Sequence, residues 1–242
     1  MLRPLLHSLA STRLAGARLV RFAAVALAAF AVAGPAAAAA VKGRDAALVV
    51  DAATGRALYA RNADELRYPA SLTKMMTLYV LFEEMERGRI QNDTRLTVSA
   101  FAAGQAPSKL GLKPGQTITA LEAIRALVTK SANDAAVVIA ENISGSQAAF
   151  ARRMTDTARR IGMRNTVFRN ANGLPNPGQY TTARDLATLG LALQNRFPKL
   201  YRHFATREFT FRGRTYRNHN KLLGRVEGVD GIKTGFINAS GF

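Results

Sequence analysis

The apolar positions of this chain change their spacing several times, and each change marks an element. Residues 22–34 read Phe-Ala-Ala-Val-Ala-Leu-Ala-Ala-Phe-Ala-Val-Ala-Gly, behind Arg3, Arg13, Arg18 and Arg21 and ahead of Pro35 and an alanine run. A basic start, an apolar middle and a small-residue end with Ala-x-Ala sites predict an export signal over residues 1–40, cleaved near Ala38 to Ala40. The apolar stretch from Phe22 to Val41 is also long enough to anchor in a membrane. Gly34-Pro35 and the small-residue tail favour cleavage. Either reading places the remainder outside the cytoplasm, in the periplasm or cell envelope.

From Ala46 the text shortens to strand-like runs. Ala47-Leu-Val-Val-Asp51, the turn signal Thr54-Gly55 and Arg56-Ala-Leu-Tyr-Ala60 predict a β-hairpin. Pro69 and Ser71 then suit a helix start. Leu72, Met75, Met76, Tyr79 and Val80 predict a helix covered over most of its surface. Beyond Gly88 helical signals dominate. Thr119-Ala-Leu-Glu122 is a capping box opening a helix to about Val128. Ser131 to Ile143 and the amphipathic Gln147 to Ile161 predict two more helices. Asn170-Ala-Asn-Gly-Leu-Pro-Asn-Pro-Gly178 is a loop. Thr182 caps a helix to about Asn195. Arg207–Phe211 and Arg214–Arg217 predict a second hairpin, and Val229–Ile237 a final strand. Strands, then helices, then strands predict an α/β (α+β) fold. Residues 41–90 and 200–242 form its α/β part, and residues 91–199 a helical insert. Their junction is a natural place for a cleft.

Composition narrows the chemistry. At 48% hydrophobic, the 242 residues are neither a disordered chain nor a membrane bundle. The absence of cysteine excludes disulfides, thiolate catalysis and cysteine-ligated zinc. His7, His203 and His219 stand in no metal-ligand pattern, so neither metal nor other cofactor is predicted. A net charge of +18, to which the leader contributes its four arginines, predicts attraction to an anionic membrane or wall surface. The arginines form no dense block and no nucleic-acid motif, so nucleic acid is not a predicted partner.

Ser71 and Lys74 lie three residues apart on the predicted buried helix, which puts them on one face. Serine is a poor nucleophile until a neighbouring base takes its proton. A helix start also favours negative charge through its free N–H groups and dipole. Ser-x-x-Lys alone arises by chance about once in a chain of this size. Two further short motifs change its weight: Ser131-Ala-Asn133 in the helical insert and Lys233-Thr-Gly235 in the predicted last strand. Ser131 taken alone would be a helix cap, and Lys233 and Thr234 ordinary strand residues. Together, in this order, the three motifs point to a serine hydrolase. His219 reads as a loop hydrogen-bonder, and Arg184 and Asp185 as parts of a capped surface helix.

Ser71-Leu-Thr-Lys74, Ser131-Ala-Asn133 and Lys233-Thr-Gly235 resemble the active-site set of penicillin-recognising serine enzymes. The flanking Gly178-Gln-Tyr-Thr-Thr-Ala-Arg-Asp-Leu-Ala187, Arg207-Glu-Phe-Thr-Phe211 and Gly228-Val-Asp-Gly-Ile-Lys-Thr-Gly-Phe236 resemble serine-type D-alanyl-D-alanine carboxypeptidases, the low-molecular-mass penicillin-binding proteins. The resemblance runs from about Val41 to Phe242. It implies a β-lactamase/DD-peptidase-like fold: an antiparallel sheet with flanking helices and an inserted all-α domain. It implies a peptidoglycan stem peptide as substrate and acylation by β-lactam antibiotics.

The resemblance also assigns roles. Ser71 attacks the carbonyl between two terminal D-alanines, and Lys74 takes its proton. Ser131 relays a proton to the leaving amine, and Asn133 holds Lys74 or the substrate amide. Lys233 and Thr234 meet the substrate carboxylate, and Gly235 lets the substrate backbone approach. The N–H groups of Ser71 and Phe236 form an oxyanion hole. An ordinary lysine is neutral in only about one molecule in 2,500 at pH 7. Lys74 therefore needs burial and a nearby cation, for which Lys233 is the candidate.

Endopeptidase action on cross-links fits the same motifs. A class A β-lactamase would need a further glutamate, and Glu141, Glu208 and Glu227 match no such position. Outside catalysis, the alternative is an inactive wall-binding module. In the family two more strands and a terminal helix follow Lys-Thr-Gly, with an arginine for the substrate carboxylate. The resemblance thus implies that residues 1–242 lack the centre of the sheet and are unstable or inactive as an isolated piece.

Overall fold

The computed structural model describes residue 43 and residues 45–238. The predicted export signal lies outside the described residues. No helix among them is long and apolar enough to cross a membrane.

The first hairpin pairs β1 (Ala47–Val50) with β2 (Ala57–Arg61), in the register Ala47↔Arg61, Leu48↔Ala60 and Val49↔Tyr59. The Asp51 carboxylate closes its turn by accepting from the Ala53 and Thr54 amides and the Thr54 hydroxyl. A 3-10 turn over Ala70–Leu72 then leads into α1 (Thr73–Glu86). Every residue of α1 from Thr73 to Glu84 is buried. The helix is covered on all sides, with an apolar middle from Leu78 to Phe82 and buried charged residues at both ends.

The chain continues through β3 (Arg95–Thr97), α2 (Ala100–Ala103), β4 (Thr117–Thr119), α3 (Ala120–Thr129), α4 (Asn133–Ser144) and α5 (Gln147–Arg160). It then forms α6 (Ala183–Arg196), α7 (Pro198–Tyr201), β5 (Glu208–Phe211) and β6 (Arg214–Arg217). The α3 capping box is complete: Thr119 Oγ1 accepts from the Glu122 amide, and Glu122 accepts from the Thr119 amide. Thr182 Oγ1 caps α6 by accepting from the Asp185 amide at 3.0 Å. α1 packs against α4, α5 and α6. Tyr79 and Phe82 meet Phe197 edge-on at 5.1 and 5.7 Å between ring centroids. The same core continues to Phe209 and Tyr216 of the second hairpin.

Three features differ from the sequence reading. The region from 91 to 199 is not purely helical, since β3 and β4 pair antiparallel with Leu96 opposite Ile118. The strands among the described residues form three separate two-stranded sheets rather than one. Of the predicted final strand, residues 229–236 are irregular backbone and Ile237 makes a single β-bridge. A strand is defined by its ladder, and no named strand among the described residues pairs with this segment. Other contacts hold it: Asn220 Nδ2 donates to the Gly231 carbonyl at 3.0 Å, and Tyr201 Oη to Asp230 at 3.3 Å.

Candidate active site

The 3-10 turn before α1 does the first positioning. Ser71 lies in this turn and Lys74 in the first turn of α1, and residues i and i+3 share a face. Lys74 Nζ lies 3.2 Å from Ser71 Oγ, 2.8 Å from Asn133 Oδ1 and 2.5 Å from the Asn172 carbonyl oxygen. Its side chain is fully buried. Burial, and then the Lys233 cation, push the Lys74 ammonium well below the ordinary lysine range, with Asp134 opposing them. A neutral lysine has two N–H donors and one lone pair. Asn133 Oδ1 and the Asn172 carbonyl can only accept, so they take the two donors. The lone pair then faces the Ser71 hydroxyl.

Asn133 and Ser131 come from the other side of the cleft. The amide of Asn133 has one possible orientation, because its Nδ2 donates to the Ala106 carbonyl at 2.9 Å. Its oxygen is thereby turned to Lys74. Ser131 is not part of the helix expected to start there. α4 begins at Asn133, its N-cap is Ala132, and no side chain caps it. Ser131 instead takes a left-handed φ of 57°. Ala70, just before Ser71, is left-handed too, at 47°. Such backbone costs of order 1–3 kcal/mol per residue and persists where surrounding contacts hold it. The Ser131 hydroxyl is buried on the cleft wall and has no hydrogen-bond partner among the described residues.

The third motif approaches along the irregular segment. Thr234, Gly235 and Phe236 line a cleft of about 690 Å³ together with Ser71, Ser131 and Asn133. Lys233 is half-buried, its pKa lowered to about 8 by burial. Its ammonium donates to the Thr234 carbonyl at 2.6 Å. A Cβ on Gly235 would stand 3.2 Å from the Ser71 amide nitrogen and 3.3 Å from that of Leu72. The missing side chain thus lets this segment lie against the start of α1. Phe236 is half-exposed.

The sequence reading passed over two parts of the site. The loop at 170–178 supplies the carbonyl of Asn172 to Lys74. Asn172 is fixed through its Nδ2, which donates to Gln105 Oε1 at 2.8 Å. Thr77 Oγ1 donates to the adjacent Ala171 carbonyl at 2.6 Å. Gly173 has φ +82°, and a Cβ there would meet the Ala70 carbonyl oxygen at 1.9 Å. The loop can reach Lys74 only with glycine at this position. His219 also lines the cleft. Burial, and then Lys233, Lys130 and Lys74, push its imidazole below the ordinary histidine range. Arg184 pairs with Asp64, and Asp185 is buried under Asn165 and Thr166, both away from the cleft.

A buried lysine within hydrogen-bond reach of a serine that lines such a cleft is an arrangement that suits acyl transfer. The family model described as D-alanyl-D-alanine carboxypeptidase matches residues 23–242. The chain belongs to the D-alanyl-D-alanine carboxypeptidase family. It is 39% identical over 202 residues to D-alanyl-D-alanine carboxypeptidase DacA of Escherichia coli K12, covering 81% of this chain and 50% of that one. It superposes on the crystal structure of the carboxypeptidase DacD from Francisella tularensis with a TM-score of 0.78. The identity is 30%, over 84% of this chain and 62% of that one. Penicillin-binding protein D2 of Listeria monocytogenes, solved with ampicillin bound, matches at TM-score 0.68 and 31% identity. That match covers 80% of this chain and 79% of the other. The chain spans about half the length of the curated carboxypeptidases it matches. The DD-peptidase fold expected from the motifs is thus the fold observed.

Among the described residues no group of three histidine, cysteine, aspartate or glutamate side chains is placed to hold a metal.

Proposed function

We propose that the protein is a serine D-alanyl-D-alanine carboxypeptidase acting on peptidoglycan stem peptides, with Ser71 as the acylated nucleophile. One observation carries the reading: Lys74, buried and shifted toward neutrality, is held by two acceptors with its remaining direction toward Ser71 Oγ. In the proposed step, Ser71 Oγ gives its proton to Lys74 Nζ and bonds to the carbonyl carbon before the last D-alanine. The carbonyl oxygen becomes an oxyanion. It sits at the turn that opens α1, beside the Ser71 amide. The Ser71 and Phe236 amides are the proposed donors, each worth about 3 kcal/mol.

Collapse of the tetrahedral species breaks the C–N bond. The proton on Lys74 reaches the departing amine through the Ser131 hydroxyl, whose unused hydrogen-bonding capacity suits a relay. Lys233 and Thr234 bind the substrate carboxylate. Water then attacks the acyl-serine with the same Lys74 accepting its proton; the C–Oγ bond breaks, Lys74 returns that proton to Ser71 Oγ, and the shortened peptide leaves. A β-lactam carbonyl enters by the first step alone. The Listeria structure with bound ampicillin supports this. The excess of arginine supports attraction to an anionic wall or membrane surface, and the leader supports export to the envelope.

The test is labelling of the native protein with a fluorescent penicillin, followed by peptide mapping. The label is expected on Ser71 and absent from Ser71→Ala. A labelled Ser71→Ala variant, or no label on the folded native protein, would refute the acyl-serine reading. Release of free D-alanine from a pentapeptide, rather than cleavage of cross-linked dimers, then separates carboxypeptidase from endopeptidase.

A further inference from the structure

Asp134 follows the Ser-x-Asn motif and is fully buried. Its carboxylate accepts four backbone N–H groups: Leu110 at 3.0 Å, Gly111 at 2.9 Å, Leu112 at 3.1 Å and Ala135 at 2.9 Å. A buried carboxylate survives only when its lone pairs are used in this way. Three of the four donors belong to one loop, which continues from Pro107 and Ser108 on the cleft wall. The same loop is sewn to the motif at three more points. The Asn133 amide donates to the Ser108 carbonyl at 2.7 Å, Asn133 Nδ2 to the Ala106 carbonyl at 2.9 Å, and Ser108 Oγ to the Lys130 carbonyl at 2.8 Å.

We infer that Asp134 is a positioning residue for acylation: it pins residues 110–112 so that Ala106 and Ser108 hold Asn133 with its oxygen on Lys74 and Ser131 in its left-handed turn. The inference rests on the proposed acyl-serine function. If the loop loosens, the Asn133 amide can rotate and present Nδ2 to Lys74, donor against donor. Ser131 can relax out of φ 57° and carry its hydroxyl off the cleft wall.

Asp134 also bears the negative charge that acts on Lys74. The charged groups facing that ammonium are Lys233 from the 229–237 segment and Asp134 from α4, with His219 beyond them in the cleft. Lys233 lowers the Lys74 value and Asp134 raises it. Their removal should therefore move the acid limb of acylation in opposite directions.

The experiment measures the pH profile of acylation by fluorescent penicillin for the native protein, Asp134→Asn, Asp134→Glu and Lys233→Gln. Asp134→Asn is expected to slow acylation about 10-fold or more and to shift the acid limb to lower pH. Asp134→Glu keeps the charge but displaces the loop, and is expected to slow acylation with the limb unmoved. Lys233→Gln is expected to shift the limb to higher pH. Hydrogen exchange on the native protein is independent of whether the variants fold. The Leu110, Gly111 and Leu112 amides should be protected to the level of α4. Rapid exchange at those three amides, or an Asp134→Asn profile matching the native rate and limb, would overturn the inference. Failure of the native protein itself to acylate would instead sink the acyl-serine reading.

Discussion

The two ends of α1 bury charge in opposite ways. At the start, Lys74 is surrounded by carbonyl oxygens and another lysine, with Asp134 as the opposing charge. At the end, Glu83 and Glu84 are 2% and 6% exposed but ringed by arginines. Glu84 pairs with Arg87, Arg89 and Arg153, and Glu83 with Arg87, Arg160 and Arg196. The Arg89 guanidinium, first among these, holds the Glu84 carboxyl down at about 2. Matched charge keeps a buried group ionised and ties helices together; here it joins α1 to α5 and α6. Mismatched charge drives a buried group toward its neutral form, which is what a base needs. One helix thus carries a structural knot and the proposed base, separated by which partners surround each.

Breaking the reactive end should have the largest effect. Gly173→Ala pushes the 170–174 loop off the Ala70 carbonyl and takes the Asn172 oxygen from Lys74. Penicillin acylation is expected to fall by about 100-fold or more. Gly213→Ala has a similar φ of +77° but open space around it. It should cost about 1 kcal/mol of stability with acylation unchanged. Equal acylation losses in the two variants would show that backbone strain, not the clash at Ala70, is responsible.

The structural end responds in stability rather than rate. Glu84→Gln is expected to lower the urea unfolding free energy by about 2 kcal/mol and to leave acylation per folded molecule intact. Because the folded Glu84 value lies below its unfolded value of 4.5, its contribution is full above about pH 4.5. It is lost as pH falls toward 2. Urea midpoints measured from pH 6 to pH 3 should fall more steeply for the native protein than for the variant. Parallel curves would contradict the pairing.

The smallest effect concerns Ser131. Ser131→Gly relieves the left-handed turn and should be about 1 kcal/mol more stable than Ser131→Ala. Both variants should lose acylation alike. Equal thermal stabilities would mean that φ 57° carries no strain.

What the sequence disclosed follows from where information is stored. The Ser71–Lys74 spacing, the Thr119–Glu122 box and the Thr182 cap are local side-chain patterns, and each was legible. The Asn172 contribution is a backbone carbonyl, which leaves no side-chain signature; only Gly173 in an otherwise ordinary loop marked the place. Ser131 read as a helix start because its polar side chain suits a cap. Its left-handed φ goes with the Ala132 amide bonding back to the Ala126 carbonyl at the end of α3 and with the distant Ser108 hydroxyl on the Lys130 carbonyl, which spacing does not reveal. β3 and β4 are three residues each, too short for a period-2 signal. Residues 229–237 carry strand-like composition, but a ladder needs a neighbour, and neighbours are not written in the segment itself.

The central claim is that burial and the Lys233 cation hold the Lys74 ammonium well below the ordinary lysine range. NMR titration of the native protein with 13Cε-labelled lysine, assigned by Lys74→Arg, reads this directly. The Lys74 resonance is predicted to titrate well below the ordinary lysine range. A Lys74 midpoint near the free-lysine value of about 10.4 would contradict the account.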